Sequence, residues 1–85
     1  MLEKLIEEGQ KLEKSQYDLM GVPNECYEGV EFEEWSSKVA LFFHEQSDSA
    51  VKSKVLDMYS KLNKKNSANF VNTALGALKA LKEMQ

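Results

Sequence analysis

The sequence predicts an all-α fold, an up-down four-helix bundle, and three observations lead there. Apolar residues recur at steps of three and four along most of the chain. No window alternates apolar and polar residues with β-branched enrichment, so strands are not expected. The breaks between helical stretches are short or moderate, which favours antiparallel neighbours. The predicted helices lie near 2–19, 30–46, 49–63 and 67–84 of a single 85-residue domain.

The first helix carries Leu2, Leu5, Ile6, Gly9 and Leu12 on one face, with Leu19 slightly out of phase. Gly9 costs about 1 kcal/mol against Ala in a helix interior, and a close helix crossing would offset it. Met20 to Gly29 is the clearest break: Gly21, Pro23, Asn24 and Gly29 form turns, and Pro23 turns Val22 away from helix. The second helix then presents Phe32, Trp35, Val39, Phe42 and Phe43, with Glu31, Glu33 and Glu34 at the positive end of its dipole. Trp35 and its aromatic neighbours read as core rather than as a ligand cage. The Ser47-Asp48-Ser49 run ends that helix and supplies caps for the third, which carries Val51, Val55, Met58, Tyr59 and Leu62. A polar connector, Asn63 to Ser67, leads to the fourth, with Phe70, Val71, Ala74, Leu75, Leu78, Leu81 and Met84 on its apolar side.

Composition narrows the class. Hydrophobic residues at 42% and charged residues at 29% are ordinary globular usage and exclude wholesale disorder. One Cys cannot make an internal disulfide and suits a reducing compartment. The longest apolar run, Val39 to Phe43, falls far short of the roughly 20 residues of a membrane span. No apolar signal segment follows the first turn. The expectation is a cytoplasmic protein without a membrane partner.

Charge is divided along the chain. Residues 1–50 carry net −8 and residues 51–85 net +5, within an overall −3. An antiparallel helical fold would set acidic helices beside basic ones, so the asymmetry is read first as internal. All eleven basic residues are Lys. Arg is the preferred bidentate reader of guanine and phosphate, so its absence weighs against specific nucleic-acid readout.

Motifs for chemistry are lacking. There is no phosphate-binding glycine loop, no His-Glu-x-x-His, no paired Cys and no Gly-x-Ser-x-Gly. Leu41, three before His44, breaks the Glu-x-x-His pattern of di-metal bundles. A Cys26–His44 dyad would need the loop to fold back on the second helix, and His44 with Glu45 and Asp48 reads as a polar helix end rather than a cation site. No enzyme, cofactor, metal or small-molecule substrate is expected.

What remains are surfaces. Five Glu fall between Asn24 and Trp35 with aromatics interleaved, and Tyr27, Glu28, Glu31 and Glu34 are candidates to meet a basic partner. Phe42 and Phe43 make the second helix's stripe wide enough for one to face outward, and Phe43 is taken as that residue. Thr73, Gly76, Ala77 and Ala80 form a small-residue strip on the fourth helix that would admit a second copy of the chain. Lys52, Lys54, Lys61, Lys64 and Lys65 are the alternative, contacts to phosphate.

Three stretches resemble the small helical module that precedes effector domains in bacterial antiphage-defence proteins of the Toll/interleukin-receptor-like nucleotide-hydrolase type. They are Leu2-x-x-Leu5-Ile6-x-x-Gly9-x-x-Leu12, then Phe32-x-x-Trp35 leading into Lys38-Val39-x-x-Phe42-Phe43, and Ala74 to Lys82. The glycine usual after the module's second helix is missing from His44-Glu45-Gln46-Ser47. The resemblance implies a non-catalytic sensing or assembly part. The expected function is therefore a protein-interaction or assembly module, for a protein partner or itself, in defence or counter-defence. The alternative is a nucleic-acid-linked regulator, binding phosphates through lysines or mimicking nucleic acid through its acidic face.

Overall fold

Helix α1 (Leu2–Gln10) stops where its apolar face runs out. Beyond Leu12 the next turn offers only Ser15 and Gln16, so continuing the helix would bury nothing. The chain turns at Lys11 and enters a β-hairpin, β1 (Ser15–Leu19) and β2 (Val22–Cys26). This hairpin corrects the all-α expectation. The computed structural model, which describes residues 1–84, has four helices and an antiparallel two-stranded sheet and is mixed α/β. The stretch predicted as the second half of one helix and a loop is sheet instead.

The hairpin's register runs from Ser15 opposite Cys26 to Leu19 opposite Val22, leaving Met20-Gly21 as a two-residue turn. Both turn residues have positive φ, 53° at Met20 and 81° at Gly21. That is the turn whose twist matches paired strands, and it asks for Asn or Asp at the first position. Cross-strand partners share a face. Tyr17, Asn24 and Cys26 look toward the helices and are at least partly buried, whereas Gln16, Asp18, Pro23 and Glu25 look out and are exposed.

The remaining elements are helical. Gly29, at φ 99°, bends the chain into α2 (Val30–His44), a conformation that any side chain would strain. Ser49 caps α3 (Ala50–Ser60) by accepting the Lys52 N–H at 3.1 Å. Asn63 and Asn66 cap each other across a 3₁₀ turn (Lys64–Asn66) that runs into α4 (Ser67–Glu83). Each helix packs on its neighbours, with α1 closing against both α2 and α4. Gly9 lies by Leu75 while Glu3 pairs with Lys82, so α1 and α4 are antiparallel.

Trp35 is the centre of the core. Its indole N–H donates to the Leu5 carbonyl at 2.8 Å, and its ring meets Phe70 edge-on. Gly9 makes the close approach possible: a Cβ there would stand 2.5 Å from Trp35 Cζ2 and 2.8 Å from Leu75 Cδ2. Val39, Phe43, Val55, Val71, Ala74 and Leu78 complete the buried set. No helix among the described residues is long and apolar enough to cross a membrane.

Candidate interaction surface

The hairpin is fastened to the helices at one end only. Cys26 is buried, and the adjoining Tyr27 is buried and stacked on Phe32 at 6.0 Å between ring centroids. The Tyr27 N–H donates to Ser67 Oγ at 2.8 Å, and that hydroxyl donates in turn to the Lys64 carbonyl at 2.8 Å. A buried hydroxyl that both accepts and donates leaves no polar group unpaired. Lys64 adds an ion pair to Glu28 at 3.3 Å and lies over the Tyr17 ring at 5.7 Å. Across the outer face, Lys14 pairs with Glu25 at 3.0 Å, which holds the lysine's pKa above its ordinary value.

From Asp18 to Pro23 these anchors cease. Met20 is 97% exposed, and Leu19 and Val22 are exposed beside it. The molecule is 44 Å long and only 23 Å across. Its longest helix, of 17 residues, is about 26 Å long, well short of that length. The far half of the hairpin is therefore a projecting arm with an apolar tip. A non-glycine residue in the left-handed region costs about 1–2 kcal/mol, and here that cost holds a methionine side chain in water.

Most of the sequence-derived candidates lie elsewhere, and several are not surface residues. Phe43 is buried beneath the half-buried Phe42, so the assignment of the outward ring is corrected to Phe42, which lines a shallow apolar cleft with Met1 and Leu41. Tyr27 belongs to the hairpin's root and is likewise not available. Glu31 and Glu34 share a cleft between α1 and α2 with Lys11 and Lys38, and Lys38 is paired with both Glu8 and Glu34. Those two carboxylates hold the Lys38 pKa above its usual value, Glu8 contributing first. Glu28 lines a second cleft with Glu31 and is engaged by Lys64.

The small-residue strip does face outward. Gly76 and Ala80 are exposed, Thr73 and Ala77 half-buried, and nothing stands within 4 Å of a Cβ built at Gly76. The tight crossing in this fold is made by Gly9 instead. The five candidate phosphate-binding lysines do not converge. Lys52 closes the end of α2, donating to the carbonyls of His44 and Gln46 at 3.1 and 2.9 Å and to Asp48. Lys54 is also near the start of α3, whereas Lys61, Lys64 and Lys65 lie past its end, about 10 Å or more away. Lys61 is paired with Asp57 and Lys64 with Glu28.

Cys26 and His44 stand at opposite ends of α2, whose 15 residues span about 21 Å, so they form no dyad. Among the described residues no three His, Cys, Asp or Glu side chains gather as a metal site would require. The acidic and basic halves do meet: the long-range pairs Glu3–Lys82 and Glu28–Lys64 join them. The tip residues Leu19, Met20 and Val22 were missed by the sequence reading, although Leu-Met-Gly-Val is a two-residue turn between apolar neighbours. No family model, curated protein or solved structure matches the chain.

Proposed function

We propose that this protein is a non-catalytic interaction module whose contacting element is the β1–β2 hairpin, presented by the helices as a rigid base. The observation that carries the reading is Met20, held at positive φ on the tip of a projecting arm and exposed over 97% of its surface. Strained backbone and exposed apolar surface at one position are both unfavourable for an isolated chain, and strain of this kind concentrates where contacts are made. The resemblance of α1, α2 and α4 to helical modules of antiphage-defence effectors supports an assembly role in such a system. Phosphate binding has less support, because the candidate lysines are divided between two places and several are engaged in ion pairs or caps.

A substitution separates folding from contact. Met20→Asn places the preferred residue in the turn and removes the apolar tip. It is expected to raise stability by about 1 kcal/mol while abolishing photo-crosslinking from a neighbouring tip position to a protein in native lysate. Nuclease treatment should leave the crosslink unchanged. A crosslink of equal yield with Met20→Asn, or one that nuclease removes, contradicts the proposal.

A further inference from the structure

The two edges of the hairpin are not equivalent. In a hairpin closed by a two-residue turn, the flanking pair Leu19–Val22 exchanges hydrogen bonds, and the pairs then alternate. Asp18–Pro23 and Gln16–Glu25 are therefore the open pairs, whose main-chain groups point away from the partner strand. Pro23 fits that position because its missing N–H would have pointed outward. The same proline blunts the outer edge of β2 against strand addition. β2 is also the strand that packs on α4 and on the 3₁₀ turn. β1 has neither protection: Gln16 and Asp18 present unpaired N–H and C=O groups along an edge that points away from the helices.

From this asymmetry, and resting on the hairpin's proposed role as the contact element, we infer that the β1 edge pairs with β1 of a second copy of the chain. The two strands run antiparallel about Tyr17, giving a continuous four-stranded sheet. The sequence of β1 suits that register. Gln16 falls opposite Asp18 of the second copy, and each such pair exchanges two main-chain hydrogen bonds. Tyr17 meets its own equivalent on the inner face, where aromatic cross-strand pairs are favourable. Asp18, the one charge in β1, faces a neutral amide and not another carboxylate. Because the strands are antiparallel, each tip lies beside the root of the other hairpin, and Leu19 comes opposite Ser15. The apolar face that overhangs a single copy is then laid toward the helices of its mate. A two-fold axis through Tyr17 makes the contact self-limiting, since each copy has only one open edge.

Sedimentation equilibrium from micromolar to millimolar protein tests the inference, with exchange of the Gln16 and Asp18 amides followed in the same samples. The expected result is a shift toward dimer mass with concentration, accompanied by protection of those two amides. Gln16→Pro removes two intermolecular donors without touching the hairpin's own ladder, and should weaken the dimer roughly thirtyfold. Gln16→Glu is a second variant that leaves the backbone alone; it sets two carboxylates opposite each other and should weaken the dimer in a salt-dependent manner. A monomer across the whole range overturns the inference while leaving crosslinking of the tip to another protein intact. A dimer that survives both substitutions, or that leaves the two amides unprotected, also overturns it and places the contact elsewhere, as on the small-residue strip of α4. Absence of any tip crosslink in the parent chain, with the dimer intact, would instead contradict the broader reading alone.

Discussion

The helices and the hairpin of this protein solve opposite problems. In the helical part, Trp35 is enclosed together with Leu5, Val39, Phe43, Phe70, Val71 and Leu78, and even a glycine is used to let α1 approach. In the hairpin, a methionine is held in a strained conformation in open water. The first region satisfies what folding demands of a small domain. The second violates it in two ways at one turn. An isolated two-stranded sheet is marginally stable at best, so this arm exists because its root is tied into α4 through Ser67. The difference places the stabilising contacts in the helices and, under the proposed function, gives contact to the arm.

The largest expected effect lies in the helical region. Trp35→Ala removes the residue that covers Gly9 and deprives the Leu5 carbonyl of its indole donor, and should cost about 3–5 kcal/mol in urea unfolding. A smaller loss would mean the core closes readily over the gap. Ser67→Ala tests the joint between the two regions. It leaves the buried Tyr27 N–H unpaired and should cost about 1–3 kcal/mol, with hairpin amides exchanging faster than those of α2. Equal acceleration in both regions would show that the arm and the helices open as one unit.

Lys64→Ala is expected to cost less than about 1 kcal/mol, as exposed ion pairs do. It should nonetheless shift the Tyr17 ring resonances, because the ammonium lies over that ring. The smallest effect concerns pH. Lys14 is held above its ordinary pKa of 10.5 by Glu25. A group with a raised folded-state pKa contributes in full below its unfolded value and loses that contribution as pH rises through the folded one. The Lys14–Glu25 link should thus be intact at neutral pH and disappear only above pH 10.5. Titration of the Lys14 ammonium by NMR in the protein and in Glu25→Gln should show the difference, and identical midpoints would remove the link.

The helical part was largely legible in the sequence because burial there follows a period of three to four. Leu2, Leu5, Ile6 and Gly9 on α1, and Phe32, Trp35 and Val39 on α2, are buried as their spacing predicts, whereas Phe43, expected to face outward, and Ser36 are buried with them. Ser49 caps α3, as the Ser47-Asp48-Ser49 run suggested. The hairpin was not read, for identifiable reasons. Its ten strand residues include one β-branched side chain, Val22, and its inward positions are Ser15, Tyr17, Asn24 and Cys26 as well as apolar ones. Alternation in polarity is therefore faint even though alternation in exposure is present. Leu19 continued the helical count by accident of spacing. Pro23 excludes helix at Val22, but a proline in a strand is informative only once the register shows that it occupies an open pair.

The candidate surface was harder still. Exposure of an apolar residue cannot be inferred from its type, and Phe43 against Phe42 shows how adjacent rings on one helix divide between core and surface according to a turn of about 100° per residue. Charge was more transparent: the acidic and basic halves meet in two long-range ion pairs, Glu3–Lys82 and Glu28–Lys64.

The division of labour between arm and helices is tested most directly by the unfolding free energy of the triple variant Leu19→Thr, Met20→Asn, Val22→Thr in urea, measured at a protein concentration where the chain is monomeric. If the tip serves contact alone, the variant is at least as stable as the parent, within about 0.5 kcal/mol, with an unchanged slope on denaturant. A loss of more than about 1 kcal/mol would place those side chains in the folding core and contradict the account.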